Sequence, residues 1–260
     1  MQHKNPRLRR RSLALATLAG LTALSATTAQ ADDAAAILKA MSTYVGSQQN
    51  IAFTFDTDIE VITPDLQKIQ FASSGDVALS RPDKLRASRM GGYADVALYA
   101  DGTTVTVLGK NLDAYAQAPL SGSTDQQIDR LRAEVGIELP AADLLRVDSF
   151  SALVQGVTDA KNIGRGVVEG VDCHHLAFRT DETDWQIWIQ VGDQPIPRKY
   201  VITSKAVTGA PQYTLVVKDW KTSPKLEAST FAFTPPNGAK KVEISDLQNI
   251  DEVPSSAPLK

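Results

Sequence analysis

Asp172-Cys173-His174-His175 is the densest cluster of potential ligands and nucleophiles in the sequence. It holds the only cysteine of the 260 residues and two of the three histidines. Its spacing limits what it can do. On a strand, neighbouring residues face opposite ways, so Cys173 shares a face with His175, and Asp172 with His174. A metal ion needs three or four convergent ligands, and beyond this pair only carboxylates could supply them. A Cys–His nucleophile pair is the other option. Residues two apart, however, stand ~6–7 Å apart at Cα with parallel side chains. The plain reading is a buried thiol beside a histidine bonded to the next strand.

Asp56, Asp58 and Glu60 line one side of an alternating stretch, as calcium or glycosidase carboxylates might be arranged, and a solvated outer face accounts for the same pattern. There is no Gly-rich phosphate loop, Gly-x-Ser-x-Gly elbow or His-Glu-x-x-His. Trp185 and Trp188 fall on opposite faces of their segment, one in the core and the other a lid contact, cavity wall or surface patch. In Pro195-Ile196-Pro197-Arg198-Lys199, a turn leads into a strand with Arg198 and Lys199 at its rim, where they could hold an anionic head group.

The elements that position these residues are mostly strands. Residues 171–179, 185–191, 198–205 and 212–220 form a series separated by short turn-rich breaks, as antiparallel neighbours require. Upstream, 51–62 and 68–80 alternate apolar and polar residues, and 84–90, 95–100, 103–108 and 112–117 continue the meander. Asp101-Gly102 is a hairpin signal, since both types accept positive φ. Residues 32–48 have helical spacing with Ile37, Ala40, Met41, Tyr44 and Val45 on one side. In the middle, Ser123 or Thr124 caps a helix over 125–135, Pro140 opens a short one, and Asp148 caps a third. Strands with one apolar face need a cover, and these helices alone can supply it.

The N-terminus reads as an export leader. Five basic residues precede the apolar run 13–24, and Ala29-Gln30-Ala31 is a small-x-small cleavage site. Arg10-Arg11 leaves twin-arginine export open beside the general route. Cleavage removes five of the 27 Lys and Arg and none of the 30 Asp and Glu, moving the net charge from −3 to −8. Such a chain should repel nucleic acid and anionic membrane surfaces rather than seek them. No cysteine stands at the cleavage site for lipid attachment, and one cysteine allows no internal disulfide. No second apolar run approaches the ~20 residues of a membrane helix.

Several stretches together resemble an uncharacterised family of predicted periplasmic proteins similar to the lipoprotein carriers LolA and LolB. They are the leader, Ala36-Ile37-Leu38-Lys39-Ala40-Met41, Asp101-Gly102-Thr103, Tyr115-Ala116-Gln117 and Glu138-Leu139-Pro140-Ala141-Ala142-Asp143-Leu144-Leu145. Gly170-Val171-Asp172-Cys173-His174-His175-Leu176, Trp188 with Pro197-Arg198-Lys199, and the closing Phe231-Ala232-Phe233-Thr234-Pro235-Pro236 complete them. The resemblance implies a half-barrel whose helical lid encloses an apolar cavity able to shelter acyl chains.

The expectations are therefore specific. The fold is α+β: an open, curved antiparallel half-barrel of about ten to eleven strands under a lid of a few helices. Residues 1–31 form a leader, 32–242 one domain, and 243–260 a polar, flexible tail. The function is non-enzymatic binding or carriage, in the periplasm, of an amphipathic lipid or lipoprotein. The alternative is an envelope-sensing module that binds a periplasmic protein. Phe53, Phe55, Ile69, Phe71, Trp185 and Trp188 line the cavity, and Arg198 and Lys199 meet the head group. No cofactor, metal or nucleic acid is expected.

Overall fold

The computed structural model describes residues 23–135, 141–247, 250 and 253. Most of the leader, the glycine expected to close the middle helix (Gly136), the proline expected to open the next (Pro140) and the tail from 254 lie outside them.

Among the described residues, twelve strands form one open sheet: β1 Asn50–Ile62, β2 Lys68–Ser80, β3 Lys84–Gly91, β4 Asp95–Ala100, β5 Thr104–Gly109, β6 Ala114–Pro119, β7 Asp159–Val168, β8 Val171–Arg179, β9 Thr183–Gln190, β10 Pro197–Ser204, β11 Gln212–Thr222 and β12 Lys240–Val242. Their order is β12-β6-β5-β4-β3-β2-β1-β11-β10-β9-β8-β7, so β1 to β6 and β7 to β11 are two meanders joined where β1 pairs with β11. The architecture is the expected curved, unclosed antiparallel sheet, with slightly more strands than expected. The added one, β12, pairs parallel with β6 and carries no alternation across its three residues.

Register fixes the faces. Ile51, Phe53, Phe55, Thr57, Ile59 and Val61 of β1 pair with Leu79, Val77, Gly75, Ser73, Phe71 and Ile69 of β2, and all point to the concave side. Asp56 and Glu60 point outward, where Asp56 meets Lys218 at 2.5 Å and Glu60 meets Lys68 at 3.0 Å. Two of the three acidic residues of the row, Asp56 and Glu60, are thus held in surface ion pairs.

Helix α1 (Ala23–Ser47) lies on the concave side near β7. Its buried stripe is Ala34, Leu38, Met41 and Val45, with Ile37 and Tyr44 half-buried and Ala40 exposed. The 3.6-residue period places Leu38, not Ala40, between the apolar residues one turn away. Helix α2 (Thr124–Arg130) begins with the expected capping box of Ser123 and Gln126, and α3 (Ser149–Leu153) is capped by Asp148. The backbone of α2 continues as a wider π turn over Leu131–Val135.

These helices close one end of the half-barrel. Arg81, between β2 and β3, donates to Gln48 O at 3.0 Å and to Leu145 O at 2.8 Å, joining the end of α1 to the lid. Thr124 Oγ1 donates to Pro82 O, and Gln127 Nε2 to Asp83 O. A Cβ on Gly46 would lie 2.2 Å from Val147 O, so the contact between α1 and the lid needs glycine. Under the lid, Asp143 receives both Arg132 and Arg146, and Arg146 also reaches Asp129.

Two details depart from the sequence reading. At the β4–β5 turn only Gly102 has positive φ, at 102°. Asp101 instead accepts hydrogen bonds from the amides of Thr103 and Thr104 at 2.9 Å each. Beyond Val242 the chain keeps contact with the core. Leu247 is buried, Ile244 and Ile250 pack against the core cluster, and Arg89 donates to Ile250 O. Three apolar residues among polar neighbours are enough to fasten a segment whose composition reads as tail.

Candidate functional site

One line of pairings crosses the concave face. Phe178 of β8 is opposite Trp185 of β9, Trp185 opposite Ile202 of β10, Ile202 opposite Tyr213 of β11, Tyr213 opposite Ile59 of β1, and Ile59 opposite Phe71 of β2. Six successive strands thus each contribute one large apolar or aromatic side chain to a single row. At ~4.8 Å between strands the row runs roughly 24 Å. That exceeds the ~15 Å which one leaflet of a ~30 Å hydrocarbon core occupies.

Burial changes along the row. Phe178 and Trp185 are buried and stacked at 4.0 Å, with Tyr200 edge-on to Trp185 at 5.7 Å. Ile202, Tyr213, Ile59 and Phe71 are only half-buried. Burial holds the Tyr200 and Tyr213 phenols well above their usual pKa, so both stay neutral. One pair further out, Val61 and Ile69 are also half-buried. Inward, Phe55 covers Gly75, and Phe53 stacks on Trp220 at 5.2 Å. A β-bulge opposite Phe53, with Asp219 at φ 49°, brings Trp220 to this face. Its indole donates to Thr222 Oγ1, which also bonds the Tyr44 hydroxyl of α1.

The eight residues singled out from the sequence fall into two groups. Phe53, Phe55, Ile69, Phe71 and Trp185 share the concave face. Trp188 pairs with His175 and lies on the convex face with Arg198 and Lys199. There its ring stacks on His175 at 4.1 Å, Lys199 Nζ stands 5.1 Å from its centroid, and its Nε1 edge covers Gly166. Arg198 is the extra residue of a bulge between Pro197 and Lys199, and it donates to Gln190 Oε1 at 2.9 Å. Trp188, Arg198 and Lys199 therefore do not meet the phenylalanines. Alternation separates the two tryptophans but cannot say which face is concave. A basic group that does stand on the concave face is Arg89, opposite Gly75. Ile202, Tyr213, Ile59 and Trp220 were not singled out, because only the β1–β11 register and its bulge align them with the rest.

The Cys–His cluster also divides. Cys173 is fully buried on the convex side between Gly166 and Gln190, and its thiol contacts Val171 O at 3.4 Å. Burial pushes the thiol pKa up, more than the charge of Arg198 pulls it down. His175 Nε2 is 2.9 Å from Gln186 Oε1, and His174 turns to the concave side. Among the described residues no three His, Cys, Asp or Glu side chains are grouped to hold a metal.

A family model described as "Predicted periplasmic protein (DUF2092)" matches residues 34–245, most of the chain. The chain belongs to the DUF2092 family. No curated protein matches it by sequence. Among solved structures, the lipoprotein LppX of Mycobacterium tuberculosis is similar at 15% identity, over 76% of this chain and 98% of that one, with TM-score 0.46. A putative outer membrane lipoprotein-sorting protein domain from Vibrio parahaemolyticus follows at 8% identity, over 77% and 97%, with TM-score 0.35. MucB, in the Pseudomonas aeruginosa MucA/MucB complex, is similar at 11% identity over 81% of this chain and 63% of that one, with TM-score 0.41. Among the described residues of this DUF2092 protein, no helix is long and apolar enough to cross a membrane.

Proposed function

We propose that this DUF2092 protein is a non-enzymatic periplasmic binding or carrier protein, exported on a leader cleaved after Ala31 and left without a lipid anchor. It shelters an amphipathic, acyl-bearing ligand on the concave face of its half-barrel. The observation that carries this is the six-strand row, whose members from Ile202 to Phe71 keep apolar surface that neither sheet nor helices cover. A solvent-facing strand position is ordinarily polar, and a continuous apolar line left partly open matches the surface of an acyl chain. The ion pairs of β1 lie on the outer face, as Asp56–Lys218 and Glu60–Lys68 show, which leaves the row itself apolar.

The test has two steps. Protein purified from periplasm is extracted with organic solvent and the extract analysed by mass spectrometry, with an acyl-bearing lipid expected. The stripped protein is then titrated with dansyl-undecanoic acid, whose fluorescence rises and shifts to the blue in an apolar site. Phe71→Ser should weaken uptake about fivefold, since burying a further ~40 Å² of apolar surface contributes about 1 kcal/mol. Trp188→Ser, on the opposite face, should leave uptake unchanged. An empty extract together with no uptake removes the reading. Recovery of a cross-linked periplasmic protein in that case would favour a protein-interaction module.

A further inference from the structure

Antiparallel connections place the β1–β2, β3–β4, β5–β6, β8–β9 and β10–β11 turns at the end of the half-barrel opposite the helices. This is also the end at which the apolar row opens, since Ile59 and Phe71 lie close to the β1–β2 turn. Four exposed large apolar residues stand there, three in turns and one, Met90, on the outer face near the end of β3, beside four turns adjacent along the sheet. They are Leu112 at 43% exposure, Met90 at 62%, Leu66 at 66% and Val207 at 49%. The fifth turn, towards the β7 edge, carries Asp181 and Glu182 instead and bounds the arc.

Leu66 is the most informative. Its φ is +67°, a left-handed conformation that suits glycine, asparagine or aspartate and disfavours leucine. Its turn is otherwise well made: Leu66 N donates to Thr63 O at 2.9 Å, and Gln67 N donates to Thr63 Oγ1 at 2.9 Å. A leucine there satisfies neither backbone preference nor burial, so folding does not explain it.

We propose that this arc is where the protein docks on the interface of a phospholipid bilayer, with Leu66, Met90, Leu112 and Val207 entering the acyl boundary. The inference rests on the binding reading above and names the surface from which an acyl-bearing ligand enters or leaves. Two features favour lipid over a protein surface. The four side chains stand singly, in or beside separate turns, which a deformable interface accepts more readily than a packed one. They are aliphatic or thioether side chains, whereas protein hot spots favour Trp, Tyr and Arg. Charge opposes it little: around their tips stand Lys68, Arg89, Lys110 and Lys205 against Asp65, Asp113 and Asp95, the cross-strand partner of Met90. Lys68 and Lys205 are paired with Glu60 and Asp184, so four basic groups meet five acidic ones and the arc carries about −1 of the −8 of the mature chain. Most of the acidic excess that would repel an anionic leaflet lies elsewhere.

The experiment is flotation of the mature protein with vesicles of three parts phosphatidylethanolamine to one part phosphatidylglycerol, run beside the dansyl-undecanoic acid titration. Wild type should float with the vesicles. The double variant Leu66→Asn, Met90→Gln should partition about tenfold more weakly, the equivalent of losing one buried leucine side chain. Leu66→Asn alone should keep or raise the melting temperature, because asparagine suits the left-handed turn, so lost flotation cannot be ascribed to unfolding. Uptake of the fluorescent acid should be unchanged in both variants. Wild type that takes up the acid but stays off the vesicles overturns the docking surface and leaves the binding reading standing. Wild type that floats by way of Leu66 but takes up no acid supports the surface and removes the ligand. Flotation equal in wild type and the double variant overturns the assignment to these turns.

Discussion

Gly75→Ala tests how the concave face is built. Gly75 is not in the left-handed region, so its backbone would accept alanine, and the obstacle is space. The added Cβ would lie 2.1 Å from Ser88 O and 2.4 Å from Cζ of Phe55. The ring can swing away, but the carbonyl belongs to β3, hydrogen-bonded to β2 along its length. Overpacking of this kind costs about 1–3 kcal/mol. The entropy removed from the unfolded chain returns about 0.4–1 kcal/mol. A net loss of about 1–2 kcal/mol should lower the melting temperature by roughly 2–8 °C for a chain of this size. Urea unfolding should show a lower midpoint at unchanged slope. Adding Phe55→Leu should recover only the share due to the ring. A Gly75→Ala protein as stable as wild type would refute the close approach of β2 and β3, and full rescue by Phe55→Leu would refute the backbone contact.

Phe55→Asp should cost several kcal/mol by placing a carboxylate among apolar groups, whereas Asp56→Ala, which loses an exposed pair with Lys218, should cost at most about 1 kcal/mol; equal denaturation midpoints would mean that the facing of β1 is misread. Cys173 should react slowly with a thiol reagent in the native protein and fast in urea, and Cys173→Ala should cost about 1 kcal/mol; rapid native labelling protected by zinc would contradict the buried thiol. In acid, burial would raise the Asp143 pKa, but hydrogen bonds from Arg132 and Arg146 outweigh it, and Arg179 holds Asp184 at about 2. Both carboxylates are depressed, so their stabilisation is present above the unfolded value near 4 and is lost as pH falls through the folded one. Melting curves should show this decline below about pH 4, less steep in Asp143→Asn, and an identical acid limb in that variant would remove Asp143 from the account.

Strands were legible because each carries its own signal. Alternation gave β2 its bounds, Lys68 and Ser80, and the Ser123 capping box located α2. What the sequence left open is what two strands decide jointly. Parity put Trp185 and Trp188 on opposite faces, yet which face is concave depends on where the helices dock. The row through Tyr213 and Ile202 depends on β1 meeting β11 in one register, and no local residue encodes a pairing so distant. Arg198 and Lys199 are adjacent in sequence and would face apart on a regular strand. The bulge after Pro197 turns both outward, and bulges leave little trace in composition. β12 is short and pairs in parallel, so it lacks the period that revealed the others.

The seam between β1 and β11 bears on how this chain can change. Asp56 and Lys218, whose side chains meet diagonally across it, are 162 positions apart, while nearly every other strand pairing is between chain neighbours. The entropy of closing so long a loop grows only with the logarithm of its length, about 0.6 kcal/mol per doubling. The segment between β6 and β7, which holds all of the lid except α1, lies inside that loop. Lengthening or shortening it by a few residues would alter the closure cost by well under that amount and leave every hairpin register untouched. Selection can therefore remodel the cover over the apolar row almost independently of the sheet beneath, so that the lid can change in size and shape while the half-barrel is kept.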